Sequence, residues 1–239
     1  MKSDIPSVEQ ALVLIGGKAS RLRASGYSLE SSKAFIQVAG KPLLYWNLKM
    51  LHSAGIHRLV IAADTSYLLF QANKIIRSLP VKFIRVNFFQ DEGNGVHGIP
   101  YELRYLLDET FLFECGHSFS KPEHYSKLIR CKVGADVVFS AYTAHPKNSR
   151  QPVALRDGRV YEGVDNSHSV IAHPIVANQE YASSLLRLKF NIYNIIAHYT
   201  DLQGLKYIAN DLPVEFDNAD ELWVSIHIYE QYLARVAII

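Results

Sequence analysis

Gly16-Gly17-Lys18-Ala19-Ser20-Arg21-Leu22-Arg23 is the stretch of this chain best suited to handling an anion. Gly16 and Gly17 lack a Cβ, so a phosphate can come close to their backbone N–H groups. Lys18, Arg21 and Arg23 add positive charge, and Lys33 follows ten residues after the last of them. Such a loop can approach phosphate when it ends a buried strand. An ordinary turn with solvated cations has the same letters, so the rest of the chain must decide.

The elements around the loop meet that condition. Ala11-Leu12-Val13-Leu14-Ile15 is wholly apolar, short and β-branched, as a buried central strand should be. Beyond it, Lys33–Val38 reads as a short extended piece. Gly40-Lys41-Pro42 turns the chain into a helix whose broad apolar face carries Leu43, Leu44, Trp46, Leu48, Met50 and Leu51, closed by Gly55. Strands are expected at 58–63, 81–88, 111–115 and 136–142, with helices at 66–79, 95–107 and 122–131. This alternation predicts a parallel sheet with helices on both faces. The second part is less regular: a hairpin at 153–160 turning at Asp157-Gly158, a strand at 170–177, a helical stretch at 180–199, and a short strand at Trp223–Ile226 leading into a closing helix. Trp46, Trp223 and Cys115 read as core residues. Glu114, one residue from Cys115, is expected to point to the opposite face of the strand.

The chain has 239 residues, 49% hydrophobic and 20% charged, with a formal net charge of +2. These values describe one soluble α/β domain over 1–239 and give no support to a nucleic-acid or membrane partner. Cys115 and Cys131 form neither a CxxC pair nor a disulfide framework, which fits a cytoplasmic protein. No apolar run is long enough to span a bilayer. The glycines lack the GxGxxG spacing of a dinucleotide-dependent dehydrogenase, and no clearly placed ribose-binding acid closes the second strand, although Asp64 lies near its end. A metal-dependent glycosyltransferase would carry an acidic DxD after the fourth strand, which Glu114-Cys115-Gly116-His117 does not supply.

The order of these features resembles the sugar-phosphate nucleotidyltransferases: an apolar strand, a glycine loop with Arg21, then Lys33, then Gly40-Lys41-Pro42-Leu43-Leu44. Glu92-Gly93-Asn94-Gly95, Phe111–His117, Leu212-Pro213-Val214 and Glu221-Leu222-Trp223 are similar to the inositol-phosphate cytidylyltransferase branch. The resemblance covers nearly the whole chain. It implies a Rossmann-like, GT-A-like three-layer α/β fold with a mostly parallel mixed central sheet. A nucleotide-binding half would occupy about 10–142 and an acceptor and dimer half about 143–239. It further implies transfer of a nucleoside monophosphate from a nucleoside triphosphate, CTP among the candidates, to a sugar- or polyol-phosphate with release of pyrophosphate. Arg21 and Lys33 would be the catalytic cations. Leu14, Gly16, Gly17, Lys18, Asn94 and Gly95 would contact the nucleotide, Lys18 being readable also as a surface charge. A homo-oligomer would fit the family.

The family's Mg²⁺ site is where the chain departs. Its strand-end aspartate corresponds to His117, and its D-x-D to Ser225-Ile226-His227, so the expected ligands are not retained. Ala19 stands for the second glycine of the loop, Ser32 for a proline, and Ala172-His173-Pro174 for a further strand start. His117 and His227, with His173, would suit zinc or another transition metal better than Mg²⁺, but scattered histidines are commonly surface or core residues. Glu114, Asp165 and Asp217 are the displaced carboxylates that could serve instead. Two expectations follow: a working nucleotidyltransferase, or a catalytically weakened relative acting as a nucleotide-binding regulatory or scaffold subunit.

Overall fold

The computed structural model describes residues 7–17, 19–29, 31–90, 101–133, 135–143, 153–156, 159–162, 169–180, 205–210, 212, 216 and 218–236. Its strands are β1 (Gln10–Leu14), β2 (Gln37–Val38), β3 (Lys41–Pro42), β4 (Arg58–Ala63), β5 (Arg85–Gln90), β6 (Thr110–Cys115), β7 (Val137–Thr143), β8 (Val153–Arg156), β9 (Arg159–Glu162), β10 (Ser169–Asn178) and β11 (Leu205–Ala209). The helices are α1 (Ser20–Ala24), α2 (Leu43–Ser53), α3 (Ser66–Ser78), α4 (Pro122–Cys131) and α5 (Ala219–Val236). Two 3-10 turns, Lys33–Phe35 and Tyr101–Leu106, complete the order.

Nine strands form one sheet in the order β5-β4-β1-β6-β10-β7-β11-β9-β8. β5, β4, β1 and β6 are mutually parallel, and β11 is parallel to β7. β10 runs antiparallel between β6 and β7, and β9 runs antiparallel to β11 and β8. The expected mixed, mostly parallel sheet is therefore present. β10 breaks the simple alternation because it reaches the sheet's middle from the irregular second half of the chain.

The sheet's centre is dry, which is why its strands read as unbroken apolar runs rather than alternating ones. Ala11, Leu12 and Val13 of β1, Leu59, Val60 and Ile61 of β4, and Phe111 and Leu112 of β6 have no exposed surface. Ala11, Val13, Ile61 and Leu112 face a core shared with Leu44 and Leu48 of α2, Tyr125 and Leu128 of α4, and Leu222 and Tyr229 of α5. Each fully buried Leu or Ile there contributes about 1.5–3 kcal/mol. Among the described residues no helix is long and apolar enough to cross a membrane.

Several boundaries differ from expectation. Lys33–Phe35 is a 3-10 turn rather than extended, capped by the Ser32 hydroxyl, which accepts from the Ala34 N–H at 3.2 Å. The third strand starts at Arg85, and Leu205–Ala209 is a strand that the sequence did not announce. The described part of the expected 95–107 helix is a 3-10 helix over Tyr101–Leu106. The 180–199 helix and the Asp157-Gly158 turn lie outside the described residues, except that Glu180 is included.

The most consequential difference concerns Trp223–Ile226, which is not a strand. Asn218 Oδ1 accepts from the Glu221 N–H at 2.9 Å and caps α5, so the helix begins before Trp223. Trp223 is consequently 59% exposed rather than core, its ring edge-on to Tyr27 at 6.2 Å between centroids.

Candidate active site

Parallel strands β1, β4 and β6 end side by side, and the first candidate loop leaves from their carboxyl edge. Such edges are where open α/β sheets bind ligands. Ile15 N–H donates to the Ala62 carbonyl at 2.9 Å, and Gly116 N–H donates to the Leu14 carbonyl at 2.8 Å. These two bonds bring Gly16, Asp64 and Gly116-His117 to neighbouring strand ends. The Leu14 side chain is buried, and its backbone carbonyl is the acceptor for Gly116.

Gly17 has a φ of 106°, a conformation that side chains rarely adopt. Its N–H reaches toward Asp64 Oδ2 at 3.5 Å, a long contact. Asp64 Oδ1 is buried and finds no donor among the described residues. Sequence reading met Asp64 only as a dehydrogenase ribose acid. Its real partner, the glycine loop 47 positions earlier, is set by β1–β4 pairing. Lys18 lies outside the described residues, as do Asn94 and Gly95.

Ala19 has a φ of 48° and is left-handed at the N-cap of α1. That is the physical reason a glycine suits this position: a Cβ there costs about 1–2 kcal/mol. α1 is a single short turn held by fully buried Leu22, which leaves Arg21 exposed on its outer side.

Lys33 arrives from the other direction. Its Nζ donates to the Phe216 carbonyl at 2.5 Å and lies 4.8 Å from the centre of the Phe216 ring. The His117 ring meets the same phenyl edge-on at 5.8 Å. Phe216 is fully buried, so one aromatic side chain from the segment before α5 collects the expected catalytic lysine and the residue at the family's acid position. Phe216 was not singled out in the sequence; the Leu212-Pro213-Val214 likeness just ahead of it was the available signal.

Beneath His117 the turn is braced from inside. Asn47 of α2, fully buried, donates through Nδ2 to the Ser118 carbonyl at 2.6 Å and to the Cys115 carbonyl at 3.4 Å. Glu114 does point away from Cys115: it faces α4 and is fully buried. Tyr125 donates its hydroxyl to Glu114 Oε2 at 3.0 Å, and the Cys115 N–H and Ser118 hydroxyl donate to Oε1 at 2.9 and 3.4 Å. Burial pushes the Glu114 carboxyl up to about 8, with the hydrogen bonds only partly offsetting it. Glu114 is thus a structural group of the interior, not a displaced Mg²⁺ ligand.

The expected metal positions do not assemble. Ser225 is buried on α5 among Leu222 and Ile226, whereas His227 is exposed, its Nε2 2.8 Å from Gln231 Nε2. Two residues apart on a helix, they point about 160° away from each other. His173 lies at the β10 irregularity between Ala172 and Ile175, its ring edge-on to Phe113 at 4.3 Å. Among the described residues no group of three or more His, Cys, Asp or Glu could hold a metal ion. The expected positions His117, Ser225 and His227 supply no carboxylate for Mg²⁺, which takes hard oxygen ligands. Asp165 and Asp217 lie outside the described residues, and Asp220 is exposed in the first turn of α5.

A family model described as MobA-like NTP transferase domain matches residues 11–202. No curated protein matches the sequence. Among solved structures, the chain is similar to the inositol-1-phosphate CTP transferase from T. maritima, with TM-score 0.69 and 18% identity over 92% of this chain and 97% of that one. HddC from Yersinia pseudotuberculosis gives 0.67 and 15%, over 93% and 100%. The 4-diphosphocytidyl-2C-methyl-D-erythritol synthase from Anaerococcus prevotii gives 0.61 and 13%, over 95% and 99%. At these identities the structures share the fold.

Proposed function

Because the chain belongs to the MobA-like NTP transferase domain family, we propose that it binds a nucleoside triphosphate at the β1–β4–β6 strand ends and transfers its nucleoside monophosphate to a sugar- or polyol-phosphate. The observation that carries this reading is that Phe216 joins Lys33 to His117 at the end of β6, which pairs with the β1 end from which the Gly16-Gly17 loop leaves. The loop's N–H groups and Arg21 would meet phosphate oxygens, and Lys33 would neutralise charge developing on the transferred phosphoryl group. An ionised phosphate acceptor is already a nucleophile, so positioning does most of the work and no strong protein base is needed. Asp64, with an unpartnered carboxylate oxygen, would accept from a ribose hydroxyl or a base amine.

A second reading is favoured by one observation: His117 and the buried Ser225 leave the described site without a carboxylate cluster. On that reading the protein binds nucleotide and turns it over poorly, as a regulatory or scaffold subunit. Calorimetry with CTP, UTP, GTP, ATP and dTTP, with and without Mg²⁺, tests both, followed by pyrophosphate release on a panel of sugar and polyol phosphates. Binding with release supports the transferase, and binding without release supports the second reading. Absence of any nucleotide binding, or an unchanged Kd in both Lys33→Ala and Asp64→Ala, rejects both. A cytoplasmic location and a homo-oligomer belong to the same reading, the latter checked by sedimentation.

A further inference from the structure

We infer that Phe216 is the positioning residue of Lys33. This inference rests on the reading of Lys33 as a phosphate-facing cation. A lysine side chain has four rotatable bonds and a strongly hydrated head, so a useful position for its charge must be imposed from outside. The 3-10 turn fixes only the backbone of Lys33, through the Ser32 cap. Phe216 constrains the other end twice: its carbonyl accepts from Nζ at 2.5 Å, and its ring face lies 4.8 Å from the charge. A ring quadrupole attracts an ammonium without neutralising it, so the contact with Phe216 leaves the lysine charged.

Phe216 is itself well anchored. It is fully buried in the core that α2, α4 and α5 share, and its edge contact with His117 ties it to the end of β6. The phenyl ring thereby joins two elements separated by 183 positions in the chain. It makes the position of Lys33 depend on the segment leading into α5.

The test compares Phe216→Leu, which keeps an apolar side chain without the ring, with Phe216→Tyr, which keeps the ring. Competitive labelling of lysines in the ligand-free protein reads the position of Lys33 directly. Lys33 should label about threefold to tenfold faster in Phe216→Leu and near the unaltered rate in Phe216→Tyr. Lys41 and Lys49, which sit over Tyr45 and Trp46, should not change and report an intact fold. The nucleotide Kd should weaken by a similar factor in Phe216→Leu and recover in Phe216→Tyr. Unchanged labelling of Lys33 in a folded Phe216→Leu overturns the inference. If that variant does not fold, the Lys33 ε-methylene proton shift in the unaltered protein decides: displaced upfield by the ring if the inference holds, at the random-coil value if it does not. Failure of the unaltered protein to bind any nucleotide would reject the functional reading, while the labelling and proton-shift results would still judge the role of Phe216.

Discussion

A methyl group on Gly16 would stand 3.1 Å from the backbone nitrogen of Asp64 and 3.2 Å from its Oδ1. The glycine is required because β1 and β4 end together, leaving no room for a side chain between them. Gly16→Ala should therefore cost about 1–3 kcal/mol, since the nearest atom belongs to backbone and cannot swing aside. Gly116→Ala should cost at least as much, with a Cβ 2.6 Å from Ile15 Cγ2 and 3.1 Å from Leu44 Cδ1. Urea denaturation of both variants measures this, and loss of less than about 0.5 kcal/mol in either would contradict the close approach.

Glu114 gives the protein a pH-dependent stability of definite sign. Its folded carboxyl titrates near 8 rather than 4.5 because it is desolvated. The native state keeps the proton between those values while the unfolded chain releases it. Stability from this group is complete below pH 4.5 and is lost as pH rises to about 8, at about 1.4 kcal/mol per pH unit. Glu114→Gln keeps an acceptor for the Cys115 N–H and should flatten that slope. Melting curves from pH 5 to 9 that remain parallel for the two proteins would exclude the assignment.

The β2–β3 hairpin turns through Ala39 and Gly40, with φ of 48° and 74°. Two left-handed residues are what a type I′ turn demands, and alanine is a poor choice for the first. The Ala39 N–H donates to Glu230 Oε1 of α5 at 3.2 Å, a bond that any residue except proline preserves. Ala39→Asn should stabilise the protein by about 0.5–1 kcal/mol, because asparagine tolerates this conformation. A fall in melting temperature would refute the turn assignment.

The first half of the sheet was largely legible because its strands are buried on both faces and therefore read as unbroken apolar runs, Ala11–Ile15, Leu59–Ala63 and Phe111–Phe113 among them. Lys33 was singled out by its spacing from Arg21 and Gly40. Asp64 and Phe216 were not, because their partners lie 47 and 183 positions away and are chosen by strand pairing and core packing. At the second acid position the expectation of a strand over Trp223–Ile226 gives way to a helix capped by Asn218, a shift that sets Ser225 and His227 on different faces of α5.

That shift decides which repair of the metal site is informative. Replacing His117 and Ser225 together by aspartate follows from the linear motif, but Ser225 is only 3% exposed on α5. A carboxylate there must lose its hydration, so Ser225→Asp should lower stability by about 2 kcal/mol or more and return no activity. His117 is different, standing at the β6 strand end against the Phe216 ring that also carries Lys33. His117→Asp alone supplies a hard oxygen ligand at the carboxyl edge of the sheet. Nucleotide affinity in this variant should gain a dependence on Mg²⁺ of about tenfold, equivalent to about 1.4 kcal/mol, relative to the unaltered protein. Calorimetry in Mg²⁺ and in a chelator measures that difference. An unaltered protein already showing the same dependence would place its magnesium ligands outside the described residues, where Asp217 directly follows Phe216 in the chain.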